Sequence, residues 1–225
     1  MTEALTAPVP RAHRASRQRG ETTRRKLLDA TLRVIARDGV RAVTHRAVAR
    51  EAGLSVSLTT YYFVDLYDLI ANAFLGFFQA GRAELDASWQ VGFAYLDAVL
   101  PGCADNPAMR RRMRDHIARL IGDYVLRKIV EQPTWLAVEH HFFFEALVDE
   151  RLTELARQHR RRLVEPMLEL CRRLGSEEPE IDADLLFGTL TRLEYESLVV
   201  PPEQVDEARI RREVRRLIGW IARVA

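Results

Sequence analysis

Residues 44–63, THRAVAREAGLSVSLTTYYF, decide the fold. Thr44 is a good N-cap for a short helix in which Ala47, Val48 and Ala52 face inward, and Gly53 stops that helix. A three-residue turn of Gly53, Leu54 and Ser55 follows, with Ser55 set to cap a second helix over about 56–63. Two short helices joined by a tight glycine-containing turn make a helix-turn-helix, whose second helix enters a DNA major groove.

Upstream, a stripe of period 3.6 (Leu27, Leu28, Thr31, Leu32, Ile35, Ala36) predicts a helix from Glu21 that ends at Gly39. Residues 1–20 carry Arg11, Arg14, Arg17 and Arg19 with no apolar pattern and are expected to form a flexible basic arm. Downstream, helices are expected at about 66–89, 92–100, 107–131, 133–147, 150–174, 181–200 and 203–224, and no alternating strand pattern occurs. The expectation is an all-α chain: an arm at 1–20, a three-helix DNA-binding domain at 21–65, and a larger helical domain for ligand binding and dimerisation at 66–225.

Charge supports this division. Net charge is only +2, but residues 1–65 hold 12 basic against 6 acidic residues, while the remainder is mildly acidic. A basic front end on an acidic body points to a polyanionic partner for the front end alone. Cys103 and Cys171 form no CxxC pair, which suits a reducing cytosol, and no zinc site or other cofactor is expected. The N-terminus lacks the apolar run of a secretory signal, and the longest apolar stretch, 69–78, is half a membrane span. The chain is therefore expected to be cytoplasmic and off the membrane. GxGxxG, GxxxxGK[ST] and GxSxG are absent, so no enzyme is expected. His140 and His141 beside Glu139 diverge by about 100° on a helix and do not converge on a metal ion.

The segment 23–69 resembles the DNA-binding domain of the TetR family, the tetracycline-repressor-like regulators. The matching residues are Thr23, Arg24, Leu27, Leu28, Asp29 and Ala30; Gly39 and Thr44; Val48, Ala49, Ala52, Gly53, Leu54 and Ser55; then Tyr62–Phe63 and Leu69. Two positions depart from the family pattern: Thr59–Thr60 stand where a Leu-Tyr pair is usual, and Leu66 where a phosphate-touching Lys is usual. The resemblance implies a homodimeric repressor that binds a palindromic operator and is released by a small effector. A regulator without an effector, constitutive or partner-controlled, is the alternative, and a helical enzyme or carrier the remote one.

Site residues follow from faces and from the resemblance. Val56, Ser57, Thr60 and Tyr61 should point outward to base edges if Leu54, Thr59 and Phe63 point inward. The resemblance adds Arg46 as a base reader. Arg24 joins the DNA-binding set, and Thr44, His45, Ser55 and Tyr62 are better placed for phosphates. Phe74, Phe78, Met113, His116, Leu120, Tyr124, Trp135, His140, Phe143 and Phe144 are candidate walls of a cavity for an apolar or aromatic effector. Leu163, Met167, Leu170, Leu186, Leu190 and Leu193 make apolar faces on two long helices, which the resemblance places in a dimer interface.

Overall fold

The computed structural model describes residues 11–224, with side chains from Gln18 onward. Among these residues the regular structure is helical, with nine α-helices and no strand. They are α1 (Arg11–Asp38), α2 (His45–Ala52), α3 (Val56–Tyr62), α4 (Leu66–Val99), α5 (Pro107–Glu131), α6 (Pro133–Glu145), α7 (Glu150–Arg173), α8 (Pro179–Leu198) and α9 (Glu207–Ile221). No described helix is long and apolar enough to cross a membrane.

Three boundaries differ from expectation. α1 begins at Arg11, so residues 11–20 are helical rather than a free arm; residues 1–10 of that arm lie outside the described residues. Nothing between 11 and 38 breaks a helix except Gly20, and Arg and Ala are strong helix formers. α4 absorbs the separate segment expected at 92–100, because one interior glycine, Gly92, costs a helix only about 1 kcal/mol. The chain also divides between Phe77 and Phe78 rather than at 65, so the first turns of α4 belong to the first unit.

In the first unit, Leu27, Ala30, Val34 and Ile35 of α1 pack with Val48 and Ala49 of α2, Phe63, and Leu69 and Ala73 of α4, all essentially without exposure. The buried face of α1 is thus shifted from the expected stripe: Ala30 and Val34 join it, while Leu28, Leu32 and Ala36 are only half-buried. In the second unit α5 lies along α9 and α7 along α8. One continuous core runs through Leu96, Ile117, Val125, Leu136, Leu170, Leu186, Leu193, Val214 and Ile218. Set into this apolar interior are charged groups: Lys128, Glu139, Glu194 and Arg114 are all under 10% exposed. Burial of that kind is sustained only by pairing.

Candidate nucleic-acid interface and ligand cavity

The helix-turn-helix is built by local chemistry. The Thr44 hydroxyl accepts from the Ala47 amide at 3.0 Å and so caps α2. Gly53 closes the helix in the left-handed region (φ 65°), its amide reaching Ala49 and Arg50 carbonyls. There only glycine sits without strain. Ser55 does not cap α3 as expected; its hydroxyl pairs with that of Ser57 at 2.9 Å. Phe63 anchors the end of α3 in the core.

Thr59 explains one departure from the family pattern. It is fully buried, donates its hydroxyl proton to the Val56 carbonyl at 2.7 Å, and lies 3.0 Å from His45 Nδ1. A hydroxyl has one proton to give, so His45 Nδ1–H is the donor in the second bond. These bonds make a polar tie between α2 and α3. It also orients His45, whose Nδ1 is committed to Thr59 and whose Nε2 is left for another partner.

The outer surface of α2 and α3 carries Thr44, Arg46, Ser55, Val56, Ser57, Thr60 and Tyr61, all exposed, with Tyr61 at 78%. Tyr62 is half-buried, edge-on to Tyr61. Arg24 behaves differently. It donates to Asn72 Oδ1 at 2.7 Å and lies over the Phe63 ring, so it ties α1 to α4 and to the anchor of α3 instead of projecting freely. The DNA-binding set included it, but the sequence carried no sign of Asn72, which lies 48 residues away.

In the second unit a cavity of about 100 Å³ is walled by Trp89, Phe93, Leu120, Tyr124, Phe143 and Phe187 among others. A wider cavity of about 710 Å³ shares Trp89, Phe93, Tyr124, Lys128 and Glu139 with it, and adds Phe78, Trp135 and His159. Of the ten expected wall residues, Leu120, Tyr124, His140 and Phe143 line the inner chamber, and Phe78 and Trp135 the outer one. The other four do not. Phe74 is buried in the first unit, Met113 packs on the Cys103 sulfur, His116 stacks on Tyr95 away from the chambers, and Phe144 is 64% exposed. The periodicity that selected them finds buried faces and not cavities.

The polar heart of the cavity was not anticipated. Lys128 Nζ stands 3.5 Å from Glu139 Oε2 and 3.5 Å from Glu194 Oε1, and Glu139 Oε1 accepts from His159 Nε2 at 2.7 Å. The Phe78 ring stacks on His159 at 3.6 Å. Burial opposes charge on all these groups, yet the two carboxylates hold the Lys128 ammonium above its ordinary value. For Glu139, burial is outweighed by Lys128 and the His159 hydrogen bond, and its carboxyl is held down at about 2. For Glu194 burial dominates, with Glu139 adding repulsion, and the carboxyl is pushed up to about 7. One signal in the sequence marked this site: among 34 basic residues only Lys26 and Lys128 are lysines, and Lys128 falls on the apolar face of α5.

The residues expected at a dimer interface are committed elsewhere. Leu163, Met167, Leu170 and Leu190 line the inner chamber, and Leu186 and Leu193 are buried in the subunit's own core. The large apolar side chains that α8 leaves exposed are Ile181, Leu185 and Tyr195, with Val199 just past its end. Both faces of α8 carry apolar residues, and spacing alone did not say which one turns inward.

Comparison with known families and structures gives a consistent picture. A family profile described as bacterial regulatory proteins, tetR family, matches residues 27–73, and one described as tetracyclin repressor-like, C-terminal domain, matches 103–220. A transcriptional regulator from Rhodococcus sp. Rha1 is similar in fold, at 19% identity over 89% of this chain and 96% of that one (TM-score 0.62). The multidrug binding protein EbrR complexed with proflavin is 26% identical over 87% of this chain and 99% of that one (TM-score 0.52). Its complex with ethidium is 25% identical over 87% and 98% (TM-score 0.54). No curated protein matches the chain.

Proposed function

Because the chain belongs to the TetR family of bacterial regulatory proteins, we propose that it is a transcriptional repressor which binds a palindromic operator as a homodimer and leaves it when a small effector occupies the second unit's cavity. The observation that carries this reading is the pairing of an outward-facing α3, anchored by Phe63, with a ring-lined cavity.

Each part has a physical warrant. Val56, Ser57, Thr60 and Tyr61 present small hydroxyl, methyl and phenol groups suited to base edges and thymine methyls, and Arg46 can meet guanine with two hydrogen bonds. Thr44, His45, Ser55 and Tyr62 are placed for phosphates, Arg24 acting as a positioning residue behind them. The exposed apolar side chains of α8 suit an isologous contact with a second copy, which would present two recognition helices to a two-fold site. Trp89, Phe93, Tyr124 and Phe143 suit an effector with a ring, and the dye complexes of EbrR support that class. Leu85, Trp89 and Phe93 sit on α4, whose first turns belong to the DNA-binding unit, so an effector that prefers one setting of this helix biases both.

The test is fluorescence anisotropy of the full chain on DNA from upstream of its own gene and on scrambled DNA, as a salt series. Specific binding whose logarithmic affinity falls steeply with salt is expected. Equal weak binding to both, followed by failure to select any sequence from random DNA, would overturn the reading.

A further inference from the structure

We propose that the effector of this cavity is an organic monocation with a ring-bearing apolar body, its charge facing the Glu194 carboxylate; the inference rests on the regulatory reading given above. Of the two buried carboxyl groups in the cavity, Glu194 is the less well answered. Two carboxylates, Glu139 and Glu194, are buried around a single ammonium, and Lys128 stands 3.5 Å from an oxygen of each. Glu139 has a second partner, since its other oxygen accepts from His159 Nε2 at 2.7 Å. Glu194 has only its half-share of Lys128 among the described residues. Around it the inner chamber offers the Trp89, Phe93, Tyr124 and Phe143 rings, Thr191 and His140.

An anionic effector would face two buried carboxyl groups, and a neutral one would give Glu194 no further charged partner. A cation supplies that partner and gains from the ring faces. The elevated carboxyl of Glu194 is the expected mark of a charge that its surroundings do not fully offset. Burial, Glu139 on α6 and Lys128 on α5 set its titration, and Tyr124 on α5, His140 on α6 and, through Glu139, His159 on α7 are the other titratable groups about it. A permanent cation bound beside it should pull its proton off, so binding near neutral pH should release a proton to the buffer.

The experiment is calorimetric titration of the full chain, without DNA, with benzyltrimethylammonium and with its uncharged carbon isostere neopentylbenzene. The cation is expected to bind more tightly by about tenfold or more. At pH 6.5 its binding should release a fraction of a proton, seen as a dependence on the ionisation enthalpy of the buffer. Glu194→Gln, which keeps the side chain's shape, should abolish both the preference and the proton release, and Glu194→Asp should keep part of each. Equal or tighter binding of the hydrocarbon, no binding of the cation at millimolar concentration, or an unchanged preference in a folded Glu194→Gln protein would overturn the proposal. Because no DNA is present, these outcomes are independent of operator binding. A chain that binds the cation but no operator would instead sink the regulatory reading.

Discussion

The two units carry their chemistry on opposite sides of their surfaces. In the first, the side chains that matter point outward from a small apolar core: Tyr61 is exposed while Thr59 and Phe63, two residues to either side, are buried. In the second they point inward, and Lys128, Glu139 and Glu194 meet from three helices inside a continuous hydrophobic core. An outward site needs only a helix held in the right orientation. An inward one needs distant parts of the chain to agree on the same cubic nanometre, and every charge in it must be answered by another.

That difference predicts which substitutions damage which unit. The largest effect should come from Lys128→Met, which removes the ammonium that two buried carboxyl groups share. A loss of about 3–5 kcal/mol is expected. It would be read as a lower melting temperature in calorimetry, and Glu139→Gln with Glu194→Gln in the same chain should recover most of it. If Lys128→Met alone is as stable as the parent, the cluster is not ionic and the contrast between units fails.

Phe63→Ala should cost about 3 kcal/mol, confined to the first unit. Hydrogen exchange is expected to rise across 27–73 and operator affinity to vanish, while the cavity still takes up ligand. Loss of ligand binding in the same variant would show that the units are not separable in this way.

Tyr61→Ala probes the outward surface alone. Operator affinity is expected to fall by about 1–2 kcal/mol with the melting temperature unchanged, since the ring is 78% exposed. A drop in stability instead would make Tyr61 part of the packing.

The smallest effect is a slope. Between the ordinary glutamate value of 4.5 and about 7, the folded chain keeps a proton on Glu194 that the unfolded chain has given up. Stability from this group therefore falls as pH rises through that window. Glu194→Gln should gain on the parent as pH goes from 4.5 to 8 in thermal melts, and parallel curves would refute the buried acid.

Sequence reading served the two units unequally for the same reason. Thr44, Gly53 and the outward set Val56, Ser57, Thr60 and Tyr61 were legible because caps and faces are decided within a few residues of chain. The Arg24–Asn72 and His45–Thr59 ties were not, being bonds between elements. In the second unit, helix positions could be read but not which buried aromatic faces a void: Tyr124 and Phe143 do, Phe74 and Met113 do not. The ionic cluster joins positions 128, 139 and 194, and no local pattern connects them. Only the lone lysine on an apolar face, in a chain that otherwise writes its positive charge as arginine, gave a hint.

Gly81 and Trp135 bear on how such a cavity drifts over evolutionary time. A Cβ at position 81 would fall 2.7 Å from Cη2 of the Trp135 indole and nearer still to Cζ2, so no side chain fits on α4 there while that ring keeps its place. Among descendants of this sequence, the two positions should therefore change together: a larger residue at 81 calls for a smaller one at 135. Since Trp135 is part of the outer wall, each such paired exchange would recut the cavity. A coupled swap at two sites would thus reshape the cavity while leaving the charges at its centre untouched.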